Sequence, residues 1–208
     1  MVLSLLNLTR DSVLALFGLQ GFSHLFIFEL IDMVIMSLAI GYIFSGFLKK
    51  PVPENYDPLV HYKKKSHVWE NVKYAALAAG PAVVLHELAH KFVAIGFGAK
   101  AVLYAPYGFY LFVILLKMIG FPFLFFVGGF VTHTALPPLQ SAFVSIAGPL
   151  TNFLIWGGIT LVIKNGMLKR KYYAIAIPLA RISLFLAVFN ILPLPGFDGF
   201  NFLRNIIA

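Results

Sequence analysis

His86-Glu87-Leu88-Ala89-His90 places two imidazoles and a carboxylate inside a hydrophobic run. On an α-helix, positions i and i+4 share a face, so His86 and His90 can close on one zinc ion. Glu87, one residue along, falls close enough to hold a water on that metal and act as its general base. The flanks, Tyr74 to Leu85 before and Phe92 to Ile95 after, carry no charged residue. A hydrolytic site in such a helix would have to work within a bilayer, an unusual place to need water.

A catalytic zinc generally takes three protein ligands and keeps one position for water. Cysteine is absent, so the ligands must be nitrogen or oxygen. After His90, Asp198 is the only carboxylate and His133 the only histidine. Asp198 has the better setting. It follows Asn190-Ile191-Leu192-Pro193-Leu194-Pro195-Gly196-Phe197, where two prolines prevent a regular helix. Broken backbone at membrane depth is tolerated when buried in protein or lining a wet cavity, and an ionisable group there is a functional candidate. A zinc ion would be its partner.

These residues need elements to hold them, and the composition says which. The chain has 208 residues, 60% hydrophobic and 12% charged, with mean hydropathy +0.88. A soluble domain carries roughly twice that charge fraction. The class is therefore an integral membrane protein, mainly α, built as a multi-span helical bundle. The net charge of +8 sits mostly in two short segments, Lys49–Lys73 and Lys164–Lys171. Placed so, it suits anionic headgroups and not nucleic acid. The N-terminus lacks a basic start, so no removable signal peptide is expected.

Residues 1–28 form an apolar or interfacial segment in which Asp11 or Ser12 could cap a short helix from Val13. Residues 29–208 form a single membrane domain. Spans are expected over about 30–48, 72–97, 141–163 and from Ala174 onward, with Gly96 and Gly98 ending the second. Tyr107–Ile119 is apolar but short. Phe121–His133, rich in Phe and Val with Gly128-Gly129 inside, favours a strand with a bulge. Residues 99–140 together read as a re-entrant or hairpin element returning to the side it left. That keeps both basic segments on one side of the membrane, as the positive-inside tendency prefers.

With His-Glu-Leu-Ala-His in one membrane helix, Ala147-Gly148-Pro149-Leu150-Thr151-Asn152 in the next and Asn190-x-x-Pro193-x-x-x-x-Asp198-Gly199 in the last, the chain resembles the site-2 protease family of intramembrane zinc metalloproteases. The match covers roughly residues 30–205. It implies a three-helix catalytic core, a zinc site completed by Asp198, and Asn190 beside it as a substrate or transition-state contact. It also implies a small membrane-embedded sheet, agreeing with the reading of Phe121–His133. The chain departs from the family in its added apolar piece around Tyr107–Ile119 and in Phe200 after the Asp-Gly pair.

The expected function is thus an intramembrane zinc metalloendopeptidase with one zinc per chain, cutting in or near transmembrane segments of other membrane proteins. Its expected partners are a transmembrane protein or peptide and the lipid bilayer, that of the cell membrane, with no nucleic acid. The alternative is a membrane metal transporter or metal-binding protein using the same His/His/Asp site; it would leave Glu87 without a reason to occupy its place. Asn152 and the Gly148-Pro149 pair are expected to serve helix packing and a kink, His133 to end the sheet, and Glu29 and Asp32 to sit at a membrane interface. Charge puts the basic segments in the cytosol, whereas the resemblance puts the zinc-facing side there. Oligomeric state is open.

Overall fold

The computed structural model describes residues 8–17, 26–50, 67–121 and 128–207. Among them the chain forms α1 (Arg10–Leu16), α2 (Phe26–Phe44), α3 (His67–Gly96), β1 (Ala101–Tyr104), α4 (Tyr107–Met118), β2 (Phe130–His133), α5 (Pro138–Lys164), α6 (Tyr173–Asn190) and α7 (Asp198–Ile207). This is the architecture of a mainly α membrane protein with one small sheet. Three stretches are long and apolar enough to cross a membrane: Phe26–Phe44, Pro138–Lys164 and Arg170–Asn190.

The helix carrying the histidines is not among those three. It is long enough at 30 residues, but an average over its residues is lowered by His86, Glu87, His90 and Lys91. All four are buried, while Leu77, Leu85, Phe92 and Ile95 point outward. Around the histidines the helix is therefore polar within and apolar without, a distinction that mean hydropathy erases. It starts at His67, five residues earlier than the expected span. It ends at Gly96, and Gly98 (φ +83) lets the Ala99 N–H reach back to the Ala94 carbonyl at 3.0 Å.

Small residues bring α2 onto α3. A Cβ on Gly41 would lie 2.6 Å from the Ala76 Cβ, and one on Gly80 would meet Ser37 at 3.0 Å. Between apolar helices such close contact supplies dispersion energy that burial from water cannot. Met36 and Ile40 of α2 then pack with Ala79, Ala82 and Val83 of α3 and with Tyr110 of α4.

Glu29 and Asp32 face into the bundle and not outward. Asp32 has no exposed surface; it accepts from Arg10 Nη1 at 3.0 Å and from the Tyr107 hydroxyl. Glu29 pairs with Lys91, next to His90. Arg10 also stacks over the Tyr104 ring, whose hydroxyl donates to Asp11 at 2.7 Å. Helix α1 begins at Arg10 with Thr9 at its N-cap, earlier than Val13, because Arg10 and Asp11 serve these partners. The apparent break in the N-terminal hydrophobic run is what docks it.

Strands β1 and β2 pair antiparallel, Ala101 opposite His133 and Tyr104 opposite Phe130. The chain thus returns to where it left α3, as a hairpin enclosing α4. Gly128 and Gly129 precede β2 instead of bulging within it; residues 122–127 lie outside the described residues. Helix α5 then runs antiparallel to α3, since His90 meets Val144 and His86 meets Asn152. Lys50 lies 3.7 Å from Glu70, and Tyr74 bonds the Ala174 carbonyl at 2.5 Å. These contacts bring the described ends of both basic segments to one end of the bundle. Asp32→Ala, which takes from buried Arg10 the carboxylate it hydrogen-bonds and leaves it Asp11 at 3.8 Å, should cost about 3 kcal/mol in detergent unfolding experiments. Leu38→Ala, on the outward face of α2, should change little in the same measurement.

Candidate metal centre

Three helices converge where the i, i+4 spacing of His86 and His90 turns both rings inward. The Nε2 atoms of the two rings lie 3.1 Å apart. Asp198 Oδ2 lies 3.1 Å from His86 Nε2 and 3.4 Å from His90 Nε2. Around a tetrahedral ion with bonds of roughly 2.0–2.1 Å, ligand atoms are about 3.3 Å apart. Among the described residues, His86, His90 and Asp198 are the one group that could hold a metal in this way.

The outer nitrogens fit the same arrangement. His90 Nδ1 lies 2.6 Å from the Val144 carbonyl, which can only accept, so the neutral ring keeps its lone pair on Nε2. His86 Nδ1 meets the Asn152 amide at 3.0 Å. The atom placed there is Asn152 Nδ2, and Oδ1 is buried without a partner; with Nε2 reserved for a metal, Nδ1 would carry the proton, and a half-turn of the amide would bring the oxygen round to accept it. Two imidazole lone pairs and a carboxylate facing one point suit a cation.

Asn152, expected in helix packing more than in chemistry, also meets the His86 ring. Its signal lay in the Gly148-x-x-x-Asn152 spacing, which puts both on one helical face, and in an amide within an apolar span. Asn152 is fully buried. Gly148 faces the rings, where a Cβ would meet His86 Nε2 at 2.6 Å and press still harder on His90. Glycine is required there because the metal-facing nitrogens occupy the side-chain position.

Asp198 opens α7, a helix absent from the expected organisation although its polar Asn201, Arg204 and Asn205 recur at helical spacing. Gly196 (φ +95) makes the turn before it. A Cβ on Gly199 would collide with the backbone of Ile191. The two glycines thus let the start of α7 lie on the end of α6 and bring Asp198 to the histidines.

A cavity of about 640 Å³ opens on this group, lined also by Glu87, Asn190, Gly128 to Val131 and the polar residues of α7. Glu87 is buried, and its Oε1 accepts the Gly129 N–H at 3.1 Å. Asn190, at the last turn of α6, is partly buried against the same space. His133 borders the cavity from the end of β2, but its Nδ1 is 2.9 Å from the Thr134 carbonyl and it stands outside the ligand group. Asn152→Ala should weaken zinc binding about 10–100-fold, the usual cost of losing such a partner, as read by chelator competition.

Three known proteins are similar to this chain in sequence. A protein of Methanocaldococcus jannaschii, provisionally named a zinc metalloprotease, is 33% identical over 180 residues, 85% of this chain and 83% of its own. A second protein of that organism, named a zinc metalloprotease, is 30% identical over 128 residues, 61% of this chain and 32% of its own. A Synechocystis protein, again provisionally named a zinc metalloprotease, is 33% identical over 134 residues, 64% of this chain and 31% of its own. No family model matches the chain, and no solved structure does. The first of these similarities extends along most of both proteins, a relationship of family and not of a shared fragment, and the chain belongs to the zinc metalloprotease family.

Proposed function

We propose that the protein is an intramembrane zinc metalloendopeptidase of the site-2 protease type, cutting peptide bonds in or near transmembrane segments of membrane proteins. The observation that carries this reading is a metal-binding group and an acid/base carboxylate buried in helices whose outward residues are apolar. His86, His90 and Asp198 are the ligands of one zinc per chain. The protein is multi-pass, with α3 crossing by virtue of its apolar outer face, and resides in the cell membrane.

Bound zinc supplies Lewis acidity, bringing the pKa of water to about 7 and polarising a carbonyl. Glu87 takes the proton of the attacking water and returns it to the leaving amine. The Gly129 N–H keeps one carboxylate oxygen fixed, so the other serves the proton. The Asn190 amide donates to the oxyanion as it develops. A helical substrate hides its carbonyls in its own hydrogen bonds and must unwind. Strand β2, paired on one side with β1 and bordering the cavity, offers its other edge to such an extended segment.

Metal transit is less well supported, because among the described residues one metal-capable group occurs and transport usually needs several in line with access from both sides. Metal analysis together with cleavage of a model transmembrane substrate tests the proposal. Glu87→Gln should keep zinc and abolish cleavage; turnover by the zinc-loaded variant would remove the general-base role. Asp198→Ala should lose most of its zinc and His133→Ala almost none, and the reverse order would overturn the ligand assignment.

Asn190→Ala should fold and bind zinc while losing activity by about 10²–10³-fold. A lowered melting temperature with unchanged zinc-normalised activity would instead make Asn190 a helix-end residue only.

A further inference from the structure

The hairpin helix α4 reaches the centre through a single peptide unit. The carbonyl of Gly128 accepts the Tyr110 hydroxyl, and the N–H of the same unit, on Gly129, donates to Glu87 Oε1 at 3.1 Å. In a trans peptide the C=O and N–H point in opposite directions. One rigid plane is therefore held between a tyrosine on one side and the carboxylate on the other. The flanking glycines suit this approach: a Cβ on Gly128 would lie 2.7 Å from Val83 Cγ1, and one on Gly129 would lie 2.9 Å from Met36 Sδ and 3.0 Å from the Tyr104 carbonyl. Two glycines also leave the plane between them free to turn over, since neither side has a Cβ to oppose rotation. Turned over, the unit would present its carbonyl to a carboxylate, oxygen against oxygen.

We propose that Tyr110 is a positioning residue for Glu87, selecting the orientation of the Gly128–Gly129 peptide that holds the carboxylate by its N–H. This rests on the reading of Glu87 as general base. Tyr110 is almost completely buried and packs with Met36, Ala79, Ala82 and Val83, so its ring keeps its place without the hydroxyl. Its backing comes from a neighbour one turn earlier, Tyr107, whose hydroxyl is anchored on Asp32. The short helix thus fixes one face of the carboxylate without touching the metal ligands, and it assigns a task to the apolar insertion between the strands.

The test is Tyr110→Phe, with zinc content, melting temperature, kcat, KM and Gly129 amide exchange measured beside the wild type. The expected result is a kcat lowered about 10–100-fold, as for a small misplacement of a reacting group. KM and zinc content should be unchanged, and the Gly129 amide should exchange faster. If the wild-type protein cleaves and Tyr110→Phe matches it in kcat or in Gly129 exchange, the positioning role is wrong while the protease reading stands. A kcat loss that follows loss of zinc or of folded protein likewise overturns it, since the hydroxyl would then be structural. A zinc-loaded wild type that cleaves no transmembrane substrate removes the protease reading itself, and the positioning role with it.

Discussion

Polar groups inside a bundle with a hydrocarbon-like exterior must be met by other polar groups, because neither lipid nor bulk water is there to solvate them. Helix α3 concentrates this demand in four residues of the stretch 86–91. His86 is answered by Asn152 of α5 and Asp198 of α7, and Glu87 by the amide of Gly129. His90 is answered by the Val144 carbonyl of α5, and Lys91 by Glu29 of α2. The partners come from four parts of the chain, so satisfying one helical turn and a half also fixes where α2, the hairpin, α5 and α7 must lie.

Close approach makes those meetings possible. Gly148 admits the imidazole rings, Gly199 admits the backbone of Ile191, and Gly41 admits Ala76. Without a large gain from removing apolar surface from water, helices in lipid adhere by fit, and small residues at the contacts provide it. The glycines that shape the metal centre and those that join α2 to α3 therefore follow one rule. Local geometry for chemistry and global packing for stability draw on the same property of the sequence.

Much of this was legible in the sequence where a signal was local. The His-x-x-x-His spacing, the Asp-Gly pair after broken backbone, the glycine stop of α3 and the short, returning character of residues 99–140 each rest on a few neighbouring residues. What was hidden depends on contacts between distant ones. The pairing of Arg10 with Asp32 turns a break in an apolar run into an anchor, and no property of either residue alone reveals it. Asn152 looked like a packing residue because its meaning lies in His86, on another helix. Strand β1 is four residues long, too short for periodicity to show. Helix α3 misled in a different way, since hydropathy sums over faces that the fold separates.

The metal group draws two of its members from one turn of α3 and the third from a position 112 residues beyond His86. An ion shared among them turns the intervening chain, hairpin and α5 included, into a closed ring. For a flexible chain of that length the length-dependent part of ring closure is worth about 4 kcal/mol of entropy. Ring closure is then a property of the ion, not of the packing alone. Affinity for the metal and cohesion of the bundle become one thermodynamic quantity seen from two ends. A chelator would act on such a molecule as a reducing agent acts on a disulfide-linked one, opening the ring where α7 meets α3 and leaving α7 to its packing on α5 and on the end of α6.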